Sequence, residues 1–180
     1  MWPFNVKVKN PEQYKIAFSS LTPGTHIFDF EIDSTFFEES ETEISRGDIS
    51  VQVTMAKEER MMDMHVAMHG KVIVPCDRCL EPVEVEVDGN ERLIIKLGEK
   101  YLEESDEIQV IPDTEHQVDL APFLFEYINL MLPMRRVHEE DENGDSLCDP
   151  EVMRKLNELS PEKEPDPRWE ALHKLKEILE

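Results

Sequence analysis

From Ile49 to Gly98 the chain reads ISVQVTMAKEERMMDMHVAMHGKVIVPCDRCLEPVEVEVDGNERLIIKLG, alternating apolar with polar residues almost throughout. A period of two sends successive side chains to opposite faces of an extended strand, whereas a helix needs 3.6. The breaks at Lys57 to Arg60, at the cysteine turn and at Asp88 to Asn90 are short, so the stretch predicts an antiparallel meander with one buried face. Gly70, inside a strand pattern, signals a bulge or a close backbone approach. Upstream, YKIAFSSLTPGTHIFDFEI (Tyr14 to Ile32) offers two strand-like pieces around a Pro-Gly turn, expected to pair with each other. FFEESETEISRGD then reads as a short helix or loop that Asp33 or Ser34 can cap. The acidic run Glu99 to Glu107 reads as a loop and Ile108 to Ile111 as a brief strand.

The period changes at VDLAPFLFEYINLML. Apolar residues at Leu120, Phe123, Leu124, Tyr127, Ile128 and Met131 predict a helix over Asp119 to Leu132, with Asp119 as cap, Pro122 tolerated in the first turn and Pro133 ending it. The expected fold class is α+β: an antiparallel β-rich meander domain from about Tyr14 to Ile111 with this long helix packed on it. After it come a polar loop, MRRVHEEDENGDSLCDP, and two short helical patterns, PEVMRKLNEL and WEALHKLKEIL, joined by the linker SPEKEPDP. The chain therefore divides into a β-rich domain with its helix, residues 1–133, and a polar loop with a helical C-terminal tail, residues 134–180.

The length of 180 residues suits one domain with a small appendage. Its 41 acidic residues against 19 basic ones give a formal net charge of −22, spread along the chain. Such a surface repels nucleic-acid phosphates and attracts basic partners. An odd number of cysteines, three, without a secretory leader points to reduced thiols in a cytoplasmic protein, and no run is long enough to span a membrane. No Gly-rich phosphate loop, nucleophile elbow or kinase signature is present.

Cys76 and Cys79 form a C-x-x-C at a bend between two strand patterns, and three readings compete. A redox dithiol needs a helix N-terminus to lower the thiol pKa, but Pro82 and the strand VEVEV follow instead. A structural zinc site needs four ligands, and His138 with Cys148 can complete a closed Cys3His set. The third reading is a turn with no metal at all. His65 and His69 lie four apart, as on a zinc-binding helix, but within a strand pattern, where core or surface histidines are expected. The carboxylate runs Glu38 to Glu43 and Glu139 to Glu142 match no EF-hand loop and read as solvated faces.

Three blocks in order, PCDRCLEPVEVEV, VDLAPFLFEYINLMLPMRRVH and DPRWEALHKL, resemble the bacterial YceD family, the large ribosomal RNA subunit accumulation proteins. Cys76 and Cys79 match the family's central cysteine pair. Where many members carry a second cysteine cluster downstream, this chain offers His138 and Cys148. The resemblance implies a non-enzymatic factor in large-subunit ribosome assembly, and it brings no catalytic residues. Such a factor would hold a ribosomal protein or the precursor RNA, and the acidic charge favours a basic protein. Basic groups available for RNA are small: Lys7, Lys9 and Lys15, then Arg135 with Arg136, and Arg78 beside the cysteines. The alternative, a magnesium-dependent hydrolase or nuclease acting on ribosomal RNA, needs convergent carboxylates, whereas Glu84, Glu86 and Asp88 are strung along one strand.

Overall fold

The computed structural model describes residues 8–160 except 143 and 145. Its frame is a six-stranded sheet built from β2 (Gly24–Ile32), β3 (Arg46–Lys57), β4 (Met61–Pro75), β5 (Pro82–Gly98), β6 (Leu102–Ser105) and β7 (Ile108–Pro112), in the order β2-β3-β4-β5-β7-β6. A separate two-stranded ladder joins β1 (Lys15–Ile16) to β8 (Val118–Asp119). The alternating stretch supplies the three long central strands, and the expected antiparallel, β-rich α+β architecture is present.

Sequence pattern sets the register. Met55 opposes Met64 and Met64 opposes Leu93, while Val53, Val66 and Val51, Met68 pair alongside them, so one face is predominantly apolar and buried, with Glu91 opposite Val66 as a charged exception. The opposite face carries Asp48, Ser50, Gln52, His65, His69, Lys71, Glu84, Glu86 and Asp88 and stays open to solvent. His65 and His69 thus lie on the surface, beside Asp63 and Asp88 respectively. Short 3-10 turns, the β1–β8 ladder and helix α1 (Ala121–Met131) cover the apolar face, where Tyr14, Phe36, Leu120, Phe123, Leu124, Tyr127 and Ile128 join the core. Of the six apolar positions that predicted the helix, Leu120, Phe123, Leu124, Tyr127 and Ile128 are buried and Met131 is half-buried. The helix begins two residues later than expected: Leu120 takes the cap position, while the Asp119 carboxylate accepts the Ala121 N–H at 2.9 Å.

Several local expectations are corrected. The two pieces around Pro23-Gly24 do not pair with each other; Lys15 and Ile16 join Asp119 and Val118, and β2 pairs with β3 instead. Asp88 to Asn90 is not a break, because β5 continues through it; Gly89 lies under Met131 of α1, whose Cε would sit 2.4 Å from an added Cβ. That glycine serves helix docking. The acidic segment after β5 contains β6, which forms a hairpin with β7 at the sheet edge, so β7 runs parallel to β5 and the meander ends there. Asp33 does cap the turn at Ser34–Phe36, accepting the Thr35 N–H at 2.8 Å. The second C-terminal helical pattern, WEALHKLKEIL, and most of its linker lie outside the described residues.

Gly70 is the close backbone approach: a Cβ there would lie 2.2 Å from the Asp48 carbonyl oxygen, with no register shift in either ladder. Backbone cannot yield as the Met131 side chain can. We therefore expect Gly70→Ala to destabilise the fold by about 1–3 kcal/mol and Gly89→Ala by clearly less, read from the midpoints of denaturant unfolding.

Candidate metal centre

The turn between β4 and β5 is a tight knuckle. Its neck is closed by the Cys76 N–H donating to the Glu81 carbonyl at 2.9 Å and the Leu80 N–H donating to the Cys76 carbonyl at 3.0 Å. Inside it the Arg78 N–H points at the Cys76 sulfur, 3.4 Å away. Leu80 completes the reversal at φ +63°, a left-handed conformation unusual for a side chain of this size, and is 77% exposed.

A second short ribbon faces the knuckle. Glu140 bridges Ser146, the Leu147 N–H donates to the Glu139 carbonyl at 3.0 Å, and Gly144 turns the chain at φ +84°. Its two arms bring His138 and Cys148 to the same place although they are ten positions apart. Asp149 then caps α2 (Pro150–Leu159), accepting the N–H groups of Glu151 and Val152 at 2.7 and 3.1 Å, so the helix starts directly after the cysteine.

Knuckle and ribbon converge. The four candidate ligand atoms of Cys76, Cys79, His138 and Cys148 lie within 4.8 Å of one another, and all three cysteines are free and buried. The Cys76 and Cys148 sulfurs are 3.7 Å apart, while His138 Nδ1 is 3.5 Å from Cys79 and 3.7 Å from Cys148. His138 Nε2 faces the Pro82 carbonyl at 3.2 Å. A carbonyl only accepts, so Nε2 carries the proton and Nδ1 turns a lone pair to the thiols, the arrangement that orients a metal-binding histidine. Val83, Val137, Val152 and Met153 wall the cluster, which is a small core of its own beside the main one.

The electrostatics favour the thiolate at Cys76 and Cys148 but not at Cys79. Burial opposes ionisation of Cys76, but the amides of Cys79, Arg78 and His138 outweigh it and bring the thiol down to about 6. The Ser146 hydroxyl is the largest influence lowering Cys148. At Cys79 the Asp149 amide favours the anion, yet burial and the two neighbouring sulfurs leave the thiol raised. His138 is raised, chiefly by Cys148. Three sulfurs and one imidazole nitrogen at this spacing are donors suited to a tetrahedral thiophilic ion, and all four positions are filled by protein.

The three arginines suggested as RNA or partner contacts stand apart in their availability. Arg136 fastens the chain to the knuckle: its N–H donates to Asp77 at 2.6 Å, its carbonyl accepts the Asp77 N–H at 2.7 Å, and its guanidinium contacts Asp77 and Glu43. Arg78 leans on the Ser146 hydroxyl at 3.5 Å. Arg135 is exposed. Asp77, Ser146 and the Pro82 carbonyl are the supporting groups that the ligand pattern alone did not reveal; the only sequence cue was the Asp-Pro following Cys148, a helix-start signal that fixes where the last ligand sits.

A largely antiparallel, open-faced sheet with a helix on its buried side, plus a Cys3His cluster that could hold a metal ion where sheet meets C-terminal segment, defines a small α+β protein with, among the described residues, no helix long and apolar enough to cross a membrane. The chain belongs to the YceD family: residues 64–176, well over half of its length, match the family model described as large ribosomal RNA subunit accumulation protein YceD. No curated protein and no solved structure matches the chain.

Leu80 gives a direct test of the knuckle geometry. Leu80→Gly should stabilise the protein by about 1 kcal/mol, because the left-handed backbone costs an L-residue roughly that amount and the exposed side chain forfeits little burial. Denaturant unfolding of the two proteins measures it.

Proposed function

We propose that this protein is a non-enzymatic cytoplasmic factor supporting accumulation of large-subunit ribosomal RNA, and that it acts by holding a basic ribosomal protein. The observation that carries this reading is the family match over residues 64–176, from within β4 through the cluster into the C-terminal segment, taken with a net charge of −22. Neutralising phosphates drives most RNA binding, and an acidic chain starts with a penalty there, whereas the same charge steers a basic protein toward it. Direct RNA contact, where it occurs, falls to Arg135 with Arg78; Arg136 is already committed to two carboxylates. The nuclease alternative has weaker support: Glu84 is engaged by Lys71 and Asp88 by His69, and although Asp48, Glu84 and Glu86 line a shallow pocket on this face, no set of three carboxylates among the described residues comes close enough together to hold a metal ion.

Affinity purification with both RNA and protein identified is the test. The expected recovery is a basic large-subunit protein whose association rate falls steeply with salt, alongside weak binding of naked RNA. Tight RNA binding at physiological salt, or magnesium-dependent cleavage of precursor RNA by the purified protein, would overturn the reading.

Cys76, Cys79, His138 and Cys148 hold zinc in this proposal, and the ion pins residues 134–148 to the sheet. Their support is the convergence of donors in a segment that otherwise has little apolar surface. Protein purified without chelator should contain one zinc per chain with zinc–sulfur distances of about 2.3 Å. Cys76→Ser should speed hydrogen exchange in residues 134–160 far more than in β3 and β4. A metal-free protein with that segment equally protected would reduce the knuckle to a turn.

A further inference from the structure

We propose that the outer edge of β2 is the docking site for an extended basic protein segment, which adds to the sheet as a further strand. This rests on the reading of the partner as a basic protein and locates where it binds. β2 pairs with β3 along all nine residues, from Gly24 opposite Lys57 to Ile32 opposite Ile49, without a shift in register. On its other side no strand pairs with it among the described residues. Every second residue of such an edge turns its N–H and C=O away from the neighbouring strand, leaving a row of free groups. One of its carbonyls, that of Glu31, is reached by the Tyr14 hydroxyl at 3.4 Å.

The two edges of the sheet differ in how they are protected. β6, at the far edge, is four residues long, fully exposed and broken by a register shift between Glu103 and Ser105. Those are the devices that blunt an edge. β2, with the sequence GTHIFDFEI, has no proline, no lysine and no bulge. Its inner side chains anchor it, Phe28 opposite Val53, Phe30 opposite Val51 and Ile32 opposite Ile49, so the edge is rigid. Ile27, on the open face, is 60% exposed.

Charge selects the occupant. Asp29 and Glu31 stand on the open face beside Ile27, held by neutral donors: Gln52 to Asp29 at 2.9 Å and Ser50 to Glu31 at 3.0 Å. Neither forms an ion pair among the described residues, so both charges remain uncompensated. A strand laid alongside meets two carboxylates and then an apolar side chain at period two, which calls for two cationic residues and an apolar one at alternate positions. A second copy of this chain would oppose acid to acid, and RNA has no amide ladder to offer.

The probe is an acetylated, amidated nonapeptide of alternating lysine and valine, added to the full-length protein. Hydrogen exchange should slow on the order of tenfold at the alternate amides of residues 24–32 that turn away from β3, and little elsewhere. N-methylating every second peptide amide should abolish binding in one parity and be tolerated in the other, since only alternate N–H groups enter the ladder. The variant Asp29→Lys/Glu31→Lys, with unfolding midpoint checked, should weaken binding on the order of tenfold or more; Ile27→Lys is the second variant should the first fail to fold. The proposal is overturned if the alternate amides of residues 24–32 that turn away from β3 are already protected in the free protein, if binding ignores N-methyl parity, or if the charge reversal leaves it unchanged. In affinity purification, equal recovery of a basic ribosomal protein by the wild type and the Asp29→Lys/Glu31→Lys variant would remove this docking site while leaving the functional reading in place. Recovery of RNA alone by the wild type would remove both.

Discussion

Strand β4 is paired on both sides along its length, with β3 from Met62 to Ile73 and with β5 from Met61 to Pro75, and the rest of the molecule hangs on that double register. A slip by one residue on either side would carry Met64, Val66, Met68 and Val72 to the solvent face and strip the core from beneath α1. It would also misplace the knuckle. Cys76 follows directly on the last paired residue, so the position of the sulfurs relative to the sheet is inherited from pairing that begins fifteen residues earlier. The tolerance of that pairing is small at one point, Gly70, where the backbone of Asp48 and Ile49 leaves no room for a side chain.

What could be read from the sequence follows from how far apart the interacting parts are. Period-two alternation is local, and it revealed the long strands and the buried face; period 3.6 revealed α1 and its large buried side chains Phe123, Leu124, Tyr127 and Ile128, though not Ala121. Pairing between distant segments leaves no local trace. Lys15 and Ile16 reach a partner more than a hundred residues away, and nothing in YKIAF names Val118 or Asp119. The Pro-Gly pair suggested a hairpin because that is its commonest use, but β2 found a better partner in the long β3. Gly89 misled for a related reason: glycine beside Asp88 and Asn90 has turn chemistry, and only the helix arriving forty residues later explains why a side chain is missing there.

The cluster shows the same division. That Cys76 and Cys79 would sit on a tight turn between strands was legible from the flanking alternation. That His138 and Cys148 were the candidates to join them was legible from donor chemistry, since few other residues downstream carry a sulfur or an imidazole. Their convergence was not legible, because it depends on a ribbon closed by Glu140 and Ser146 and on Asp77 and Arg136 exchanging backbone and side-chain bonds between two polar loops. Charged and polar residues at those positions look like ordinary surface until the two loops are seen together.

The polar character of that junction bears on what the cluster does for the protein. The main core draws on side chains from almost every element up to α1, but among the described residues of 134–160 the aliphatic groups that pack on the small core of the cysteines are Val137, Val152 and Met153, and α2 buries none of its residues fully. Hydrophobic burial therefore holds this segment weakly, and the exposed ion pairs of Arg136 add little in water. If these residues hold one ion, as proposed, a bond network of three thiolates and an imidazole would be strong per residue and need no apolar surface, so the segment could stay charged while its geometry is fixed. Fastening the periphery in this way would keep its charged surface free, whereas enlarging the apolar core there would remove the surface on which the proposed recognition of a basic partner depends.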